Sequence, residues 1–132
     1  MKTVLKQLKS EHVRLVEAFM KIRDIGSLSP EARDHLFLAR DLLVSHIEKE
    51  DKLLYPALRK VIKQDLKSKA FLDNLEQEMI AVSSTVETFF DTYQKENTSL
   101  ISANAIPALC STVLDRIQKE EHLLFPLCSK YI

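Results

Sequence analysis

The chain has 132 residues, 45% of them hydrophobic, and its 19 basic and 19 acidic residues cancel to a formal net charge of zero. This length predicts a single domain over residues 1–132 with a core of its own. The balanced charge gives no support for a nucleic-acid partner or an anionic membrane surface, which would require a clustered positive excess. Because no apolar run could span a bilayer and the N-terminal residues lack a signal-peptide core, we expect a cytoplasmic protein.

The composition predicts an all-α fold. One glycine and four prolines in the whole chain disfavour β-rich folds, which use glycine in their turns. Gly26 is expected to end the first helix, and Ser29-Pro30 has the N-cap and first-turn proline of a new one. Apolar residues recur at helical spacing in four segments, which cover about residues 4–25, 30–63, 69–94 and 102–124.

Short polar links between four amphipathic helices predict an antiparallel up-down-up-down four-helix bundle. The link between the third and fourth helices is expected at residues 95–99. Pro56 lies inside the second helix and should kink it, whereas Pro126 should mark the end of the fourth. The buried side of the second helix is predicted to include Leu36, Leu38, Leu42, Leu43, Ile47, Leu54, Leu58 and Ile62.

A short motif occurs in the second helix and again in the fourth. His46 and Glu50 stand four residues apart, so a helix presents both on one face, about 6 Å apart along its axis. Segment 46–58, HIEKEDKLLYPAL, is repeated as segment 116–128, RIQKEEHLLFPLC, with Arg116 in place of the histidine. A histidine and a carboxylate at this spacing suit a metal held inside a helical bundle.

The first and third helices carry a second matched pair. Glu11-His12 in the first helix corresponds to Glu78-Met79 in the third. Together with the longer motif, this pair indicates an internal two-fold repeat of helical hairpins. Such a repeat would bring the matched positions to one level around the bundle axis, which is the geometry of a dinuclear metal site.

These motifs resemble the hemerythrin-like, or HHE, cation-binding domain family over essentially the whole chain. The resemblance rests on the Glu-His of the first helix, His-x-x-x-Glu with Leu-Tyr-Pro, and the later Glu with Leu-Phe-Pro. It implies an antiparallel bundle that holds two irons, with His12 and His46 as ligands of one iron and Glu50 and Glu120 as bridging carboxylates. Members of the family bind oxygen, respond to oxygen or nitric oxide, or handle iron.

The second half of the implied site departs from the family pattern. Met79 and Arg116 stand where histidines of the other iron are expected; a thioether is a poor iron ligand, and a guanidinium stays protonated. Arg116 is instead expected to compensate the charge of Glu50 and Glu120. Two alternatives follow: one metal ion (iron, manganese or zinc) beside Arg116, or no metal, with Arg116 satisfying both glutamates.

The leading functional hypothesis is a non-enzymatic metal-binding domain that senses oxygen or nitric oxide, or handles metal, with a small diatomic molecule as a second ligand. The alternative is a metal-free helical scaffold that binds a protein partner. A mononuclear enzyme acting on oxygen, nitric oxide or peroxide ranks third, because no proton donor beyond the ligands is identifiable. His35 is expected at a bundle end, and His122, Lys49 and Glu121 on solvated faces.

Overall fold

The computed structural model of the protein describes residues 1–25, 30–93, 101 and 104–132. Within these ranges the chain is helical and has no strand, and the antiparallel four-helix bundle is confirmed. The second and fourth helices of the bundle are each built from two α-helices joined by a π-helical turn. The elements are α1 (Lys2–Ile25), α2 (Pro30–Lys49), a first π turn (Glu50–Leu54), α3 (Tyr55–Ile62), α4 (Leu66–Thr92), α5 (Ala105–Lys119), a second π turn (Glu120–Leu124) and α6 (Phe125–Tyr131).

The predicted limits of the first two helices agree closely with the structure, whereas those of the third and fourth helices differ from it. Helix α4 begins at Leu66, three residues early, because the Asp65 side chain accepts a hydrogen bond from the Ser68 backbone N–H and caps the helix. The predicted end at Pro126 is wrong: the fourth helix continues as α6, since proline is tolerated in a first turn. Gly26, Ser29 and the link at residues 95–99 lie outside the described residues.

The kink predicted at Pro56 takes the form of the first π turn. The Tyr55 N–H donates to the Glu50 carbonyl, five residues back instead of four. The second π turn repeats this bond from Phe125 to Glu120, just before its own proline. A proline ring clashes with the carbonyl four residues earlier, and a widened turn relieves that clash. Each π turn begins at a glutamate of the repeated motif, Glu50 in the first and Glu120 in the second.

Two apolar clusters fill the bundle, with buried polar side chains between them. Along α1, Leu8 belongs to the cluster that contains Leu54 and Leu124, whereas Leu15 belongs to the cluster that contains Leu36. His12 lies between Leu8 and Leu15 in the sequence. The buried polar residues at this level are Glu11, His12, His46, Glu50, Arg116 and Glu120.

The apolar stripes predicted from the sequence are wider than the buried faces. Leu38 is 63% exposed, while Leu36 and Leu43 on the same helix are buried. Val13 in the first predicted segment and Phe71 in the third are apolar and are also exposed. The stripe for α2 was wrong at Leu38 because two residues on a helix correspond to a rotation of about 200°, which turns Leu38 away from the face that Leu36 and Leu43 share. No helix in the described ranges is long and apolar enough to cross a membrane.

We expect Leu43→Ala to lower the free energy of unfolding by about 2–5 kcal/mol, because it leaves a cavity in the core. Leu38→Ala on the same helix is the matched control and should change stability by no more than about 0.5 kcal/mol. Urea denaturation of the two variants measures the difference. Equal losses would contradict the orientation of α2.

Candidate metal centre

Four side chains meet at the centre of the bundle. His12 comes from α1, His46 from α2, and Glu50 and Glu120 from the first residues of the two π turns. Each residue offers one nitrogen or oxygen atom, and these four atoms all lie within 4.8 Å of one another. None of the four residues is more than 1% exposed. The structure therefore brings together all four residues that the sequence predicted as metal ligands.

The inner nitrogens of the two imidazoles face each other beside the carboxylates. The Nε2 atoms of His12 and His46 are 3.0 Å apart. Glu120 Oε1 lies 3.2 Å from the first and 3.3 Å from the second, and Glu50 Oε2 is 3.5 Å from His46 Nε2. A positively charged species between these atoms would satisfy all of them.

The outer nitrogens of both imidazoles contact carboxylates. His46 Nδ1 donates to Glu11 Oε1 at 2.9 Å, and His12 Nδ1 donates to Glu121 Oε1 at 3.2 Å. Burial acts to raise the pKa of Glu11, but hydrogen bonds from Lys49 and His46 outweigh it and lower that pKa. A carboxylate can only accept, so it keeps the proton on Nδ1 and directs Nε2 toward the centre, as in histidine ligands of metals.

The sequence predicted that Glu121 and Lys49 face solvent, but both contact side chains around the centre. Lys49 binds the carboxylate of Glu11, and Glu121, although its side chain is 47% exposed, orients His12. The repeat in the sequence indicates the contact between Lys49 and Glu11, because a lysine and a glutamate also occupy the matched positions of the other hairpin. In the other hairpin, Lys119 Nζ lies 3.0 Å from Glu78 Oε2, at positions that match Lys49 and Glu11.

Arg116 occupies the other half of the site, as predicted, but its contacts are unequal. The guanidinium is 2% exposed, and its Nη2 donates to Glu50 Oε1 at 3.2 Å. Its Nε remains 3.6 Å from Glu120 Oε2, which is an ion pair without a hydrogen bond. Nη1 donates to Ser83 Oγ at 2.9 Å and to the Met79 carbonyl at 3.4 Å. The symmetrical fork between both glutamates is therefore not formed.

Met79 is buried in the apolar cluster that also contains Leu75 and Tyr55. The thioether is a poor partner for iron, and the neighbouring guanidinium cannot be a ligand. The chemistry of this half does not fit a second metal ion. The other two histidines lie elsewhere: His122 is exposed and contacts the Gln118 carbonyl, and His35 contacts Glu31.

Burial and mutual repulsion act on the pKa values of the two central glutamates. Burial, followed by the negative charge of Glu120, raises the pKa of Glu50. For Glu120 burial acts in the same direction, but His12, His46 and Arg116 outweigh it and lower the pKa well below its usual range. Burial acts to lower the pKa of His46, yet Glu120 and Glu50 raise it to about 10. A proton on His46 thus occupies the place that a metal cation could take.

Buried polar atoms that lack a hydrogen-bond partner indicate whether the site can accept a cation. Among the described residues, one oxygen of each central glutamate, Glu50 Oε2 and Glu120 Oε2, is buried without a hydrogen bond. Buried carboxylate oxygens are normally satisfied, so Glu50 Oε2, which lies 3.5 Å from His46 Nε2, has room for a further positive partner, whereas Glu120 Oε2 faces Arg116 Nε. Two imidazole nitrogens and carboxylate oxygens form a donor set for iron, manganese or zinc. The His12–His46 half fits one metal ion.

Comparison with known families agrees with this geometry. A family model described as the hemerythrin HHE cation binding domain matches residues 3–128. The match spans both hairpins of the repeat and therefore includes both halves of the site. Searches of the curated proteins and of the solved structures gave no match.

We expect Arg116→Ala to lower the free energy of unfolding of the metal-free protein by about 3–5 kcal/mol, because it leaves Glu50 and Glu120 without a fixed positive partner. Lys119→Ala removes an exposed ion pair from the same helix and should cost no more than about 1 kcal/mol. Chemical denaturation in the presence of a chelator measures both. A small loss for Arg116→Ala would show that its charge is not needed.

Proposed function

We propose that this chain, which belongs to the hemerythrin HHE cation-binding domain family, binds one divalent metal ion through His12, His46, Glu50 and Glu120. The observation that carries this proposal is the cluster of four ligand atoms within 4.8 Å, sealed from solvent by the bundle. We take residues 1–132 to act as one domain. Iron is the metal we expect from the family resemblance, and manganese and zinc suit the same donors.

The inner and outer contacts of the histidines support one complete half-site. Glu11 and Glu121 hold the two rings so that both Nε2 atoms point inward. Side chains that orient metal ligands in this way typically improve metal affinity by 10–100-fold, on the order of 1–3 kcal/mol. The arrangement is thus organised for binding before a cation arrives.

Arg116 limits the number of metal ions to one. Its guanidinium brings a permanent positive charge into the half where a second cation would lie, and Met79 adds no suitable donor. Coulomb repulsion between two such cations in a buried site is large. We therefore propose a mononuclear centre, in which Arg116 compensates the charge of the glutamates before the metal ion binds.

We further propose a role in sensing oxygen or nitric oxide, or in metal handling, without catalysis. A single divalent metal held by four protein ligands supplies an open position for a small diatomic molecule. Glu50 and Glu120 place negative charge next to the metal ion, and the two apolar clusters on either side of the site exclude bulk water. Reversible oxygen carriage of the family type needs two irons, and only one set of ligands is present.

A second candidate function is a metal-free scaffold that binds a protein partner. The observation that favours it is the buried hydrogen bond from Arg116 Nη2 to Glu50 Oε1. With a proton on His46, the charges of Arg116 and His46 would balance those of Glu50 and Glu120 without any metal. The site would then act as a salt-bridge network that fixes the bundle.

Metal content separates the two candidates. We expect about one iron per chain in protein loaded anaerobically with Fe(II), measured by elemental analysis after removal of free metal. His46→Ala should lower this content sharply, whereas His122→Ala, which removes an exposed histidine outside the site, should leave it unchanged. Met79→His combined with Arg116→His should raise it toward two.

An iron content below about 0.1 per chain after this loading would favour the scaffold instead. Equal losses for His46→Ala and His122→Ala would place the bound metal outside the centre.

Metal binding should release protons and weaken as the pH falls. The pKa of His46 in the metal-free protein is about 10, so its Nε2 carries a proton at neutral pH that a metal must displace. The raised pKa of Glu50 adds to this requirement. Between pH 8 and pH 6, we expect the affinity for Zn(II) to fall by about tenfold per pH unit for each displaced proton.

Calorimetry in buffers of different ionisation enthalpy counts these protons. We expect at least about one proton released per Zn(II) at pH 7. Binding heats that do not depend on the buffer would show that His46 is already neutral.

A further inference from the structure

A cavity of about 190 Å³ lies beside the Arg116 half of the centre. Neither histidine of the site lines it. Its walls include Asp51 from the first π turn, Tyr55 from α3, and Met79, Ser83 and Glu87 from α4. The cavity thus adjoins the half of the site that does not fit a metal.

The guanidinium of Arg116 already reaches this cavity. Its Nη1 donates to the hydroxyl of Ser83, a residue of the cavity wall, at 2.9 Å. Its Nη2 points the other way, to Glu50. Because an arginine side chain has several rotatable bonds, a change of rotamer could move the guanidinium from the glutamates into the cavity.

The cavity contains hydrogen-bond acceptors for a guanidinium. Asp51 and Glu87 contribute carboxylates, while the nearby carboxylate of Glu76 is already held by Arg59 at 2.6 Å. Carboxylates in the walls of a cavity attract a cation such as a guanidinium.

The hydroxyl of Tyr55 is buried without a partner. Tyr55 is 2% exposed, lines the cavity, and has no hydrogen bond to its hydroxyl among the described residues. The repeat gives a direct comparison, because Phe125 occupies the matched position and stacks on His12 at a centroid distance of 4.9 Å. The hydroxyl is thus present only beside Arg116. An unsatisfied buried hydroxyl is costly, so a partner in the cavity is expected.

Cation binding would change the electrostatic balance around Arg116. A divalent cation bound to Glu50 and Glu120 is neutralised by the two carboxylates. The guanidinium would then remain as an uncompensated positive charge beside the metal, at a distance where repulsion in a buried site is strong. Asp51 and Glu87 line the same cavity as Arg116 and offer it two carboxylates.

Building on the proposed function, we propose that Asp51, Glu87 and the Tyr55 hydroxyl form a second position for the guanidinium of Arg116, which it occupies when a divalent cation binds. In the metal-free protein Arg116 neutralises the glutamates; in the loaded protein it transfers to the cavity. Asp51, Glu87 and Tyr55 are then positioning residues, which favour cation binding through Arg116 without contacting the cation.

A double-mutant cycle tests this transfer. We expect Tyr55→Phe combined with Glu87→Gln to weaken Zn(II) binding about tenfold, the size of a coupling between contacting side chains. In an Arg116→Met background, the same pair of substitutions should change the dissociation constant less than about twofold. Glu48→Gln, which removes an acidic residue outside the cavity, is the charge control in both backgrounds.

Equal weakening in the two backgrounds would overturn the proposal, because the residues would then act directly on the cation. Arg116→Met removes a buried charge and could prevent folding, so NMR of the Arg116 guanidinium in the unsubstituted protein provides a second measurement. We expect its N–H resonances to shift when Zn(II) is added to one equivalent. If Zn(II) binds and these resonances do not change, the transfer is wrong and the proposed function stands; if neither Zn(II) nor Fe(II) binds, both fail.

Discussion

The burial of Glu50 and Glu120 is the constraint on which the rest of the centre depends. Two carboxylates held beside each other away from water repel, and each carries a desolvation cost of several kcal/mol. Every nearby feature reduces that cost: the guanidinium of Arg116, the proton on His46, and the raised pKa of Glu50. A metal cation would do the same with one particle. The two buried glutamates therefore require compensation, which Arg116 and His46 supply in this structure and a bound cation would supply in the proposed loaded state.

The two-fold repeat explains why compensation differs between the halves. Each hairpin keeps its glutamate at the start of a π turn and its outer lysine–glutamate pair. The central positions differ: imidazoles on one side, and a guanidinium and a thioether on the other. One half presents the imidazole nitrogens that the proposed metal ion would use, and the other carries its positive charge covalently. The scaffold that positions the charges is thus common to both halves, while the source of positive charge is not.

The sequence predicted the bundle and the meeting of four ligand residues, because helical periodicity and the repeat both act through local spacing. It did not predict the π turns, since a proline indicates only that the helix must adjust. It misplaced Leu38, because periodicity defines a stripe but not how wide a face the neighbouring helices cover. Glu121 was also missed: its contact with His12 joins helices that are distant in sequence and depends on how they pack.

The π turns also let each repeated motif contain one more residue than a regular α-helix would. In an unbroken α-helix, one added residue rotates everything beyond it by about 100°. The widened first turn takes up that rotation, so Leu58 and Ile62 remain in the core, where both are buried. Removing one residue between Glu50 and Leu54 would restore α-helical hydrogen bonding and leave the buried face of α3 unchanged. The two π turns thus separate the placement of the central glutamates from the packing of α3 and α6.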